Sequence, residues 1–506
     1  MARAIFFHDR EWTNFHSTIR DVPIAGRYEL HNVSPQATLD RMAESAAALQ
    51  ALIGKAFAER RRLRAQGSGW SFSDAAAVPG GWSLSTGYAN YLFPLPPTHV
   101  VAEYDGDREG LVLCQTGVSI SELNMFLEGR GRSLATTGAS NGQTFVGAMS
   151  TSTHGSAIDQ PAIQGQVVGL QLIPGPDRNL WVEPASNPVT DGRMAAGLGA
   201  TLVRDDRLFA AALVGLGGLG VIHAVLVKSV PRFLMEMHRD RVPLTEAIRA
   251  AMTGQGFAEA DLPGAGGQPY FFQSVVNEHI DKDHAYVTAG YRRDWDEGHT
   301  PDYSRRNKRG PGYTLATVVS HLMEAFPGLT PPITREVIAD QLNPIHGKIG
   351  SWGEIFDFTT PRTGTAASAT AVPIERTFEV LDIFHRALEK KGPAPVGFAC
   401  RYAVKSPGLL AFQRFRKTTI VDVDGVDTRA TRAVMAEVIA SLRAAGIPHA
   451  EHWGKLNQTT AASVREAHGD DLEAWIAART DLLDRDGRYV FGSALLDRLE
   501  MTSASW

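Results

Sequence analysis

Apolar residues recur at helical spacing in three segments of the chain, 36–53, 119–129 and 434–442. Residues three and four positions apart then share one face, which is typical of an amphipathic helix packed on a core. Gly54 suits the C-terminal cap of the first helix, and Ser119 or Ser121 the N-cap of the second. The apolar faces are Leu39, Met42, Ala46, Leu49, Leu52 and Ile53, then Leu123, Phe126 and Leu127, then Val434, Val438, Ile439 and Leu442.

Runs of apolar and β-branched residues predict strands at 100–104, 111–116 and 167–173. Strands mixed with helices over the first 230 residues indicate an α+β domain. After Pro231 the sequence changes to long aromatic and charged segments, and the polar run 292–310 predicts a surface loop. We therefore expect three parts: a first domain at 1–232, a second at 233–450, and a C-terminal segment, 451–506, that returns to the first.

One uncharged stretch, Phe209–Val227, is long enough to cross a bilayer. It contains several glycines, each costing about 1 kcal/mol in a helix interior, and its second half is β-branched. The pattern favours a short helix, a glycine turn and a buried strand. We therefore expect no membrane span.

Composition and charge exclude several classes of protein. The 506 residues suggest two or three domains, and 43% apolar and 21% charged residues are usual for a folded core. A net charge of −5 without long charged runs gives no reason to expect nucleic acid as a partner. Cys114 and Cys400 have no metal-ligand spacing, and no H-E-x-x-H motif occurs, so no metal is expected. Charged residues from Asp9 onward interrupt the apolar N-terminus too early for a signal peptide, which predicts a cytoplasmic protein.

Three glycine-rich segments compete as nucleotide sites. Gly215-Leu-Gly217-Gly-Leu-Gly220 has the GxGxxG spacing of dinucleotide-binding folds. That motif needs a strand before it and a helix after it, whereas here a helical pattern precedes and a Val/Ile/Leu strand follows. A nicotinamide site at this segment is therefore a minor alternative.

The other two segments, 64–74 and 136–156, are rich in small and hydroxyl-bearing residues. A pyrophosphate needs several backbone N–H groups brought close without obstruction by Cβ atoms, which glycine permits. Serine and threonine hydroxyls complete the oxygen contacts without added charge. Apolar residues interleaved in the second segment, Phe145, Val146 and Met149, argue against a flexible linker. Both segments therefore predict an ordered phosphate cradle.

Four ordered motifs resemble the vanillyl-alcohol oxidase family of PCMH-type FAD-binding proteins, and more closely its aldonolactone and alditol oxidase branch. They are Arg64-x-x-Gly67-Ser-Gly69-Trp70-Ser71, Thr153-His154-Gly155-Ser156, Gly217-Gly-Leu-Gly220-Val-Ile and His452-Trp453-Gly454-Lys455. The closing segment from Phe491 resembles the terminal helix of that branch. The resemblance covers 12–233 well and 395–500 in patches.

The resemblance implies an α+β protein with a two-part FAD-binding domain and a cap or substrate domain built on an antiparallel sheet with flanking helices. It also implies which residues hold FAD. These are Gln66, Gly67, Ser68, Gly69, Trp70, Ser71, Thr137, Gly138, Ser140, Gly142, Thr144, Gly147, Ala148, Thr151, Thr153, His154, Gly155, Gly220, Val221 and Ile222.

Trp70 departs from the family pattern, in which a histidine at this position bonds covalently to the flavin. Tryptophan has no nucleophilic nitrogen suited to that linkage, and neither cysteine lies in the family's second attachment loop. We therefore expect noncovalent FAD. The indole either packs against the dimethylbenzene edge of the flavin or fills space as an ordinary apolar side chain.

The substrate side departs from the pattern as well. The branch carries Glu-x-Arg on one strand, whose side chains share a face. The matching strand here, 398–402, keeps Arg401 but has Ala399 at the carboxylate position. Without that carboxylate, substrate hydroxyls lose an acceptor, so a simple alditol is a less suitable substrate.

Arg401, His452 and Lys455 are the candidate catalytic residues. Arg401 and Lys455 suit stabilisation of negative charge near flavin N1–C2=O, and His452 suits a general base. The alternative for His452 is a hydrogen-bonded structural histidine. Tyr402 is a weaker candidate.

The sequence thus predicts an FAD-dependent oxidase or dehydrogenase that takes hydride from a small alcohol, lactone or secondary-metabolite intermediate, with O2 or another acceptor reoxidising the flavin. The alternative is a flavin-binding protein without redox activity, acting in ligand binding or as a biosynthetic tailoring protein. The sequence does not indicate an oligomeric state.

Overall fold

The computed structural model describes residues 2–138, 140–264, 266–277, 281–304, 323–357 and 363–502. Its helices are α1 (Leu39–Ala58), α2 (Ile120–Glu128), α3 (Phe145–Ser150), α4 (Gly192–Gly197), α5 (Asp206–Leu213), α6 (Glu246–Met252), α7 (Thr330–Gln341), α8 (Trp352–Ile355), α9 (Thr377–Lys391), α10 (Arg429–Ala444), α11 (Ala461–Leu482), α12 (Arg485–Val490) and α13 (Ala494–Arg498).

Two sheets form the first part of the chain. One has the order β1 (Arg3–Phe7), β4 (Gly26–His31), β6 (Trp82–Ser85) and β5 (Leu63–Gln66). The other has the order β12 (Thr201–Arg204), β11 (Arg178–Glu183), β10 (Val167–Gly175), β13 (Val221–Lys228), β8 (Leu111–Gln115) and β7 (Leu92–Pro94). Two short ladders join β2 (Glu11–Trp12) to β3 (Val22–Pro23) and β9 (Arg132–Ser133) to β14 (Val230–Pro231).

An eight-stranded sheet forms the second part, and every pairing in it is antiparallel. Its order is β18 (Ile345–Gly350), β15 (Phe233–Pro243), β17 (Asp281–Asp294), β16 (Phe271–Asn277), β20 (Val396–Val404), β21 (Lys417–Val426), β19 (Thr365–Pro373) and β22 (Ala450–Glu451). Helices α9 and α10 pack their apolar residues on one face of this sheet, in a core with Phe398, Val421 and Val423. The fold is thus α+β with an antiparallel cap sheet, as predicted.

The C-terminal helices share a core with the first part of the chain. Leu472 and Trp475 of α11 and Leu496 of α13 lie in one buried cluster with Leu49 of α1 and Leu213 of α5. The side chain of Arg479 is buried as well and donates to the carbonyl of Gly218 at 2.8 Å. Residues far apart in sequence therefore stabilise the same sheet and its loops.

The periodicity predictions are mostly confirmed, with errors at boundaries. Ser119 caps α2 in a reciprocal box with Glu122, as its position predicted. The Gly54 cap is wrong: α1 continues to Ala58 because the next turn buries Ala56. The predicted strand at 100–104 is also wrong, since only an isolated bridge at Val100 forms there.

Of the predictions for segments 209–227 and 292–310, the first is confirmed and the second is wrong at its start. The uncharged stretch forms α5, a turn and β13, and no helix in the described ranges is long and apolar enough to cross a membrane. The predicted loop at 292–310 starts later, because β17 extends to Asp294. Residues 305–310 lie outside the described ranges.

Candidate functional site

A cavity of about 670 Å³ lies between the glycine-rich loops of the first part and the eight-stranded sheet. This volume is within the range of ligand pockets. From the first part, segments 64–76, 140–154 and 216–222 contribute to its wall. From the second part, residues of α7, β19, β20 and β21 and the segment 452–455 complete the wall. One continuous space therefore connects the predicted cofactor loops with the predicted catalytic residues.

The two glycine-rich loops are interlocked. The first directly follows the end of β5 at Gln66. A Cβ at Gly67 would lie 1.9 Å from the Oγ1 of Thr144, so only glycine allows this approach. Thr144 in turn caps α3 by accepting from the N–H of Gly147. The first loop thus rests directly on the cap of the helix in the second loop.

The two glycine-rich loops form one end of the cavity, the loop end. Several buried polar groups at the loop end have no partner within the described part of the chain. They are the Nη1 of Arg64, the Oε1 of Gln66, the Oγ of Ser140 and the Oε1 of Gln143. Unpaired buried polar atoms are costly, so these groups suit a polar ligand that supplies the missing hydrogen bonds.

The Arg64 guanidinium adds a positive charge to this end. It donates to the carbonyl of Ala75 through its Nε at 2.9 Å, and burial lowers its pKa to about 10, against the opposing effect of Asp74. A buried cation with a spare N–H suits an anionic ligand. Arg64 Nη1 and Ser140 Oγ can donate to a pyrophosphate, while the two amide oxygens can accept from hydroxyl or amine groups of a ligand. With the glycines and the cavity, these groups fit a dinucleotide such as FAD.

Trp70 lies at the same end, in an aromatic cluster. Its ring stacks on Phe15 with centroids 4.6 Å apart and planes at 15°, while His16 stacks on Phe72 at 3.9 Å. A Cβ at Gly142 would lie 2.3 Å from the Cζ2 of Trp70, so the indole is seated directly on the second loop. Trp70 therefore both fills space in the fold and lines the cavity.

At the other end of the cavity, two cations and two carboxylates form one network. Arg401 of β20 is ion-paired through its Nη1 with Asp422 of β21. Lys455 Nζ donates to Asp422 Oδ1 at 2.7 Å and to Asp424 Oδ1 at 3.3 Å. The Nη2 of Arg401 lies 3.6 Å from Asp424 Oδ2. Burial lowers the pKa of Lys455 to about 8; Asp424 opposes this shift and Arg401 adds to it.

Two neutral histidines border this network. His452 accepts from the N–H of Gly454 at its Nδ1, at 2.9 Å, and burial lowers its pKa to about 3, with Lys455 acting in the same direction. His154 lies with its Nε2 3.9 Å from Asp422 Oδ1, and burial holds its pKa well below the usual range, with His452, Lys455 and Arg401 adding to the shift. A pKa this low weakens His452 as a base at neutral pH, and the geometry favours its structural interpretation.

The structure brings most of the predicted residues to this cavity. Arg401, His452 and Lys455 line it. So do sixteen of the predicted cofactor residues: Gln66, Gly67, Ser68, Gly69, Trp70, Ser71, Ser140, Thr144, Gly147, Ala148, Thr151, Thr153, His154, Gly220, Val221 and Ile222.

The other four predicted cofactor residues belong to the second loop but do not line the cavity; their contacts are within the loops. Gly142 lies under Trp70, and Gly138 lies beside Thr153. The Oγ1 of Thr137 donates to Asn141 Oδ1 at 3.0 Å, and a Cβ at Gly155 would meet the carbonyl oxygen of Thr137 at 2.2 Å. Tyr402, the weaker catalytic candidate, does not line the cavity either. Side chains alternate along β20, so Tyr402 lies on the opposite face from Arg401 and packs in the core against Phe272.

Two site residues, Asp422 and Asp424, were not predicted from the sequence. The signal is present in β21, where Thr418-Thr-Ile-Val-Asp422-Val-Asp424 places two carboxylates at period two in a strand rich in β-branched residues. Val337 and Ile338 of α7, which line part of the cavity, were not predicted either.

Comparison with known proteins agrees with this site. A family model described as an FAD binding domain matches residues 39–177. An L-gulono-1,4-lactone dehydrogenase of Mycobacterium tuberculosis is 26% identical over 457 residues, which is 87% of this chain and 91% of that protein. A putative D-arabinono-1,4-lactone oxidase of Neurospora crassa is 30% identical over 190 residues, 38% of this chain and 29% of that protein.

The fold is also shared with solved structures. Cholesterol oxidase from Brevibacterium sterolicum matches with a TM-score of 0.68 at 13% identity, over 98% of this chain and 97% of that one. At such identity the likeness concerns the fold alone. The FAD binding domain match and the lactone-oxidising relatives support the resemblance to the vanillyl-alcohol oxidase family, and the protein is an FAD-dependent oxidoreductase.

Proposed function

We propose that the protein oxidises a small hydroxylated lactone or alcohol by hydride transfer to noncovalently bound FAD. The observation that carries the proposal is the single cavity that joins the glycine-rich loops to Arg401 and Lys455. When bound, FAD accepts hydride at its N5 and is reoxidised by O2 or another acceptor. A cytoplasmic location stays a prediction from the sequence.

The chain's own residues divide the work between the two ends of the cavity. At the loop end, Arg64 and the unpaired polar groups around it hold the dinucleotide. At the sheet end, Arg401 and Lys455 orient the substrate oxygen and stabilise negative charge that develops on the flavin ring. His452, neutral through burial, keeps the segment before Lys455 in place through its bond to the Gly454 N–H.

Noncovalent attachment follows from Trp70. The indole occupies the position of the family's linking histidine and is fixed between Phe15 and the second loop. Cys114 of β8 and Cys400 of β20 are both buried, and neither lines the cavity. This part of the proposal predicts that acid releases the flavin intact.

The relatives indicate which substrates to test first. Named relatives act on L-gulono-1,4-lactone, D-arabinono-1,4-lactone and L-galactono-1,4-lactone. All three are neutral rings with several hydroxyls, which suits a site with both carboxylates and cations on its wall. We therefore propose a compound of this kind, with simple alcohols as the comparison set.

Two measurements on the purified FAD-loaded protein test the proposal. An absorption spectrum before and after acid precipitation should show flavin that partitions to the supernatant. Anaerobic mixing with the three lactones should bleach the flavin absorbance for at least one of them. Flavin in the pellet would contradict noncovalent binding, and tight FAD binding without bleaching by any lactone or alcohol would favour a non-redox flavoprotein.

A further inference from the structure

Two carboxylates stand beside the position where the family pattern has one. Asp422 of β21 is the direct cross-strand neighbour of Ala399 on β20, and Asp424 is the neighbour of Gly397. Directly opposed residues of an antiparallel pair have side chains on the same face, about 4.5–5.5 Å apart at Cβ. The carboxylate absent at Ala399 is therefore supplied from the adjacent strand.

The two carboxylates have different surroundings. Asp422 is fully buried and bonded to both Arg401 and Lys455, and it does not line the cavity. Asp424 does line the cavity, and its side chain is 40% exposed. One carboxylate thus lies behind the cations, and the other faces the space that a substrate enters.

The charges of the network sum to zero, with two cations and two carboxylates. An anionic substrate finds no uncompensated cation here, whereas a neutral substrate finds one acceptor, Asp424, and donors on Lys455 and Arg401. We infer that Asp424 accepts a hydrogen bond from a substrate hydroxyl, that Asp422 positions Arg401 and Lys455, and that the pair selects neutral hydroxylated substrates over carboxylates. This inference rests on the proposed function.

Asp424 is tested by ligand binding to the FAD-loaded protein, followed anaerobically through the flavin spectrum. The probes are L-gulono-1,4-lactone and its ring-opened carboxylate, L-gulonate. Asp424→Asn should weaken lactone binding about 10- to 100-fold and tighten gulonate binding about 10-fold. General damage to the fold weakens both, so opposite changes are diagnostic. Lactone binding as tight as in the wild type would overturn the role of Asp424.

Asp481→Asn is the matched control. Asp481 is an exposed carboxylate paired with Arg207 at 2.6 Å, and it does not line the cavity. Its substitution removes an ion pair elsewhere and should leave both affinities unchanged.

Asp422 is tested by moving its carboxylate across the strand pair. Asp422→Asn should lower the rate of flavin reduction. It should also move the pH at which Lys455 loses its proton, and any fall in rate that follows from it, toward lower pH, because the lysine loses a carboxylate partner at 2.7 Å. The double variant Ala399→Asp/Asp422→Asn returns a carboxylate to the same face and should restore most of the rate and the original pH dependence. A double variant with a rate and pH dependence no closer to the wild type than those of Asp422→Asn would overturn the positioning role. If Asp422→Asn alone fails to fold, the double variant is compared directly with the wild type.

A substrate-independent probe separates this inference from the proposed function. Sulfite forms a bond to flavin N5 with its sulfur lone pair, which places negative charge on the flavin ring and bleaches its absorbance. If no lactone binds to or reduces the wild type, the proposed function fails, yet sulfite still reports on the carboxylates. Asp424→Asn should bind sulfite about 10-fold more tightly than the wild type. Equal sulfite affinity would overturn the claim that the carboxylates neutralise the site.

Discussion

Opposing effects act on the pKa of Lys455 at the sheet end of the cavity. Burial lowers its pKa to about 8, Asp424 acts to raise it, and Arg401 acts to lower it. Asp422 also lies in contact, and the bordering histidines, His154 and His452, are kept neutral by burial. Lys455 is therefore the group in this network that changes charge near neutral to mildly alkaline pH.

A pH dependence follows if the charged lysine stabilises the transition state. We expect the anaerobic rate of flavin reduction to be level below about pH 8 and to fall about tenfold per unit above it. Lys455→Arg keeps the charge at all these pH values and should lose the inflection. Stopped-flow reduction at a series of pH values measures both profiles. The same inflection in the arginine variant would assign it to another group.

Gly142 and Trp70 form a pair whose effects should not be additive. In Gly142→Ala the new methyl group meets the indole at 2.3 Å and disturbs its stack on Phe15. We expect a loss of about 1–3 kcal/mol in the free energy of unfolding, together with weaker FAD binding. In a Trp70→Ala background the methyl group has space, so the same substitution should cost much less. Urea unfolding of the four proteins gives the coupling, and additive losses would argue against the contact.

At the scale of elements, Arg479 connects the C-terminal helices to a cofactor loop. It lies on α11, is 1% exposed, and donates to the carbonyls of Gly218 and Arg488 at 2.8 and 2.7 Å. Gly218 belongs to the turn between α5 and β13 whose next residues line the cavity. The position of this turn thus depends on an element more than 250 residues away in sequence.

Arg479→Leu should therefore weaken FAD binding although the residue is not in the cavity wall. Three carbonyls, those of Gly218, Arg488 and Thr502, lose a donor. We therefore expect a destabilisation of about 2–3 kcal/mol and a several-fold higher dissociation constant for FAD. Fluorescence titration of the apoprotein with FAD measures the second effect. Arg465→Leu is the control, since Arg465 lies in the first part of α11, before the kink at Gly469, in an exposed pair with Glu500. Equal FAD affinity in both variants would show that α11 does not position the turn.

Local pattern predicted most elements but not how they meet. The helical faces of α1, α2 and α10 are set by neighbouring residues, and they were found correctly. The placement of Asp422 opposite Ala399 depends on the register between β20 and β21, which no local pattern specifies. The loss of a carboxylate therefore looked real from one strand alone. Only the pairing of the two strands shows that the site retains it.

At the scale of the whole molecule, the domain boundaries predicted at 232 and 450 remain predictions, while the cores show how the parts depend on each other. The first part and the C-terminal helices share one cluster of buried residues, and the cap sheet has its own. The cavity lies where these bodies face each other. Its loop end could be anticipated from glycine content, whereas its sheet end requires residues from strands and a turn distant in sequence.

Buried histidines should make the whole fold sensitive to acid. Burial lowers the pKa of His223, His452 and His468 to about 3, and for the last two Lys455 and Arg414 add to the shift. Between about pH 6.5 and 3 the unfolded chain binds protons that the folded chain does not, so stability is complete above about 6.5 and falls as the pH decreases. Each such histidine contributes a slope of about 1.4 kcal/mol per pH unit.

His223 offers the cleanest test, because burial alone lowers its pKa and its ring is hydrogen-bonded to the neutral side chains of Gln171 and Gln115 at 2.8 and 2.9 Å. His223→Gln should reduce the slope of unfolding free energy against pH by about 1.4 kcal/mol per unit, whatever its effect on the absolute value. Urea unfolding of the FAD-loaded protein between about pH 4 and 6, a window inside the range set by these pKa values, measures it. Replacing the exposed His346 by glutamine is the matched control and should leave the slope as in the wild type. A slope unchanged by His223→Gln would mean that this histidine takes up its proton in the folded state, against the cost that complete burial imposes on the charged ring.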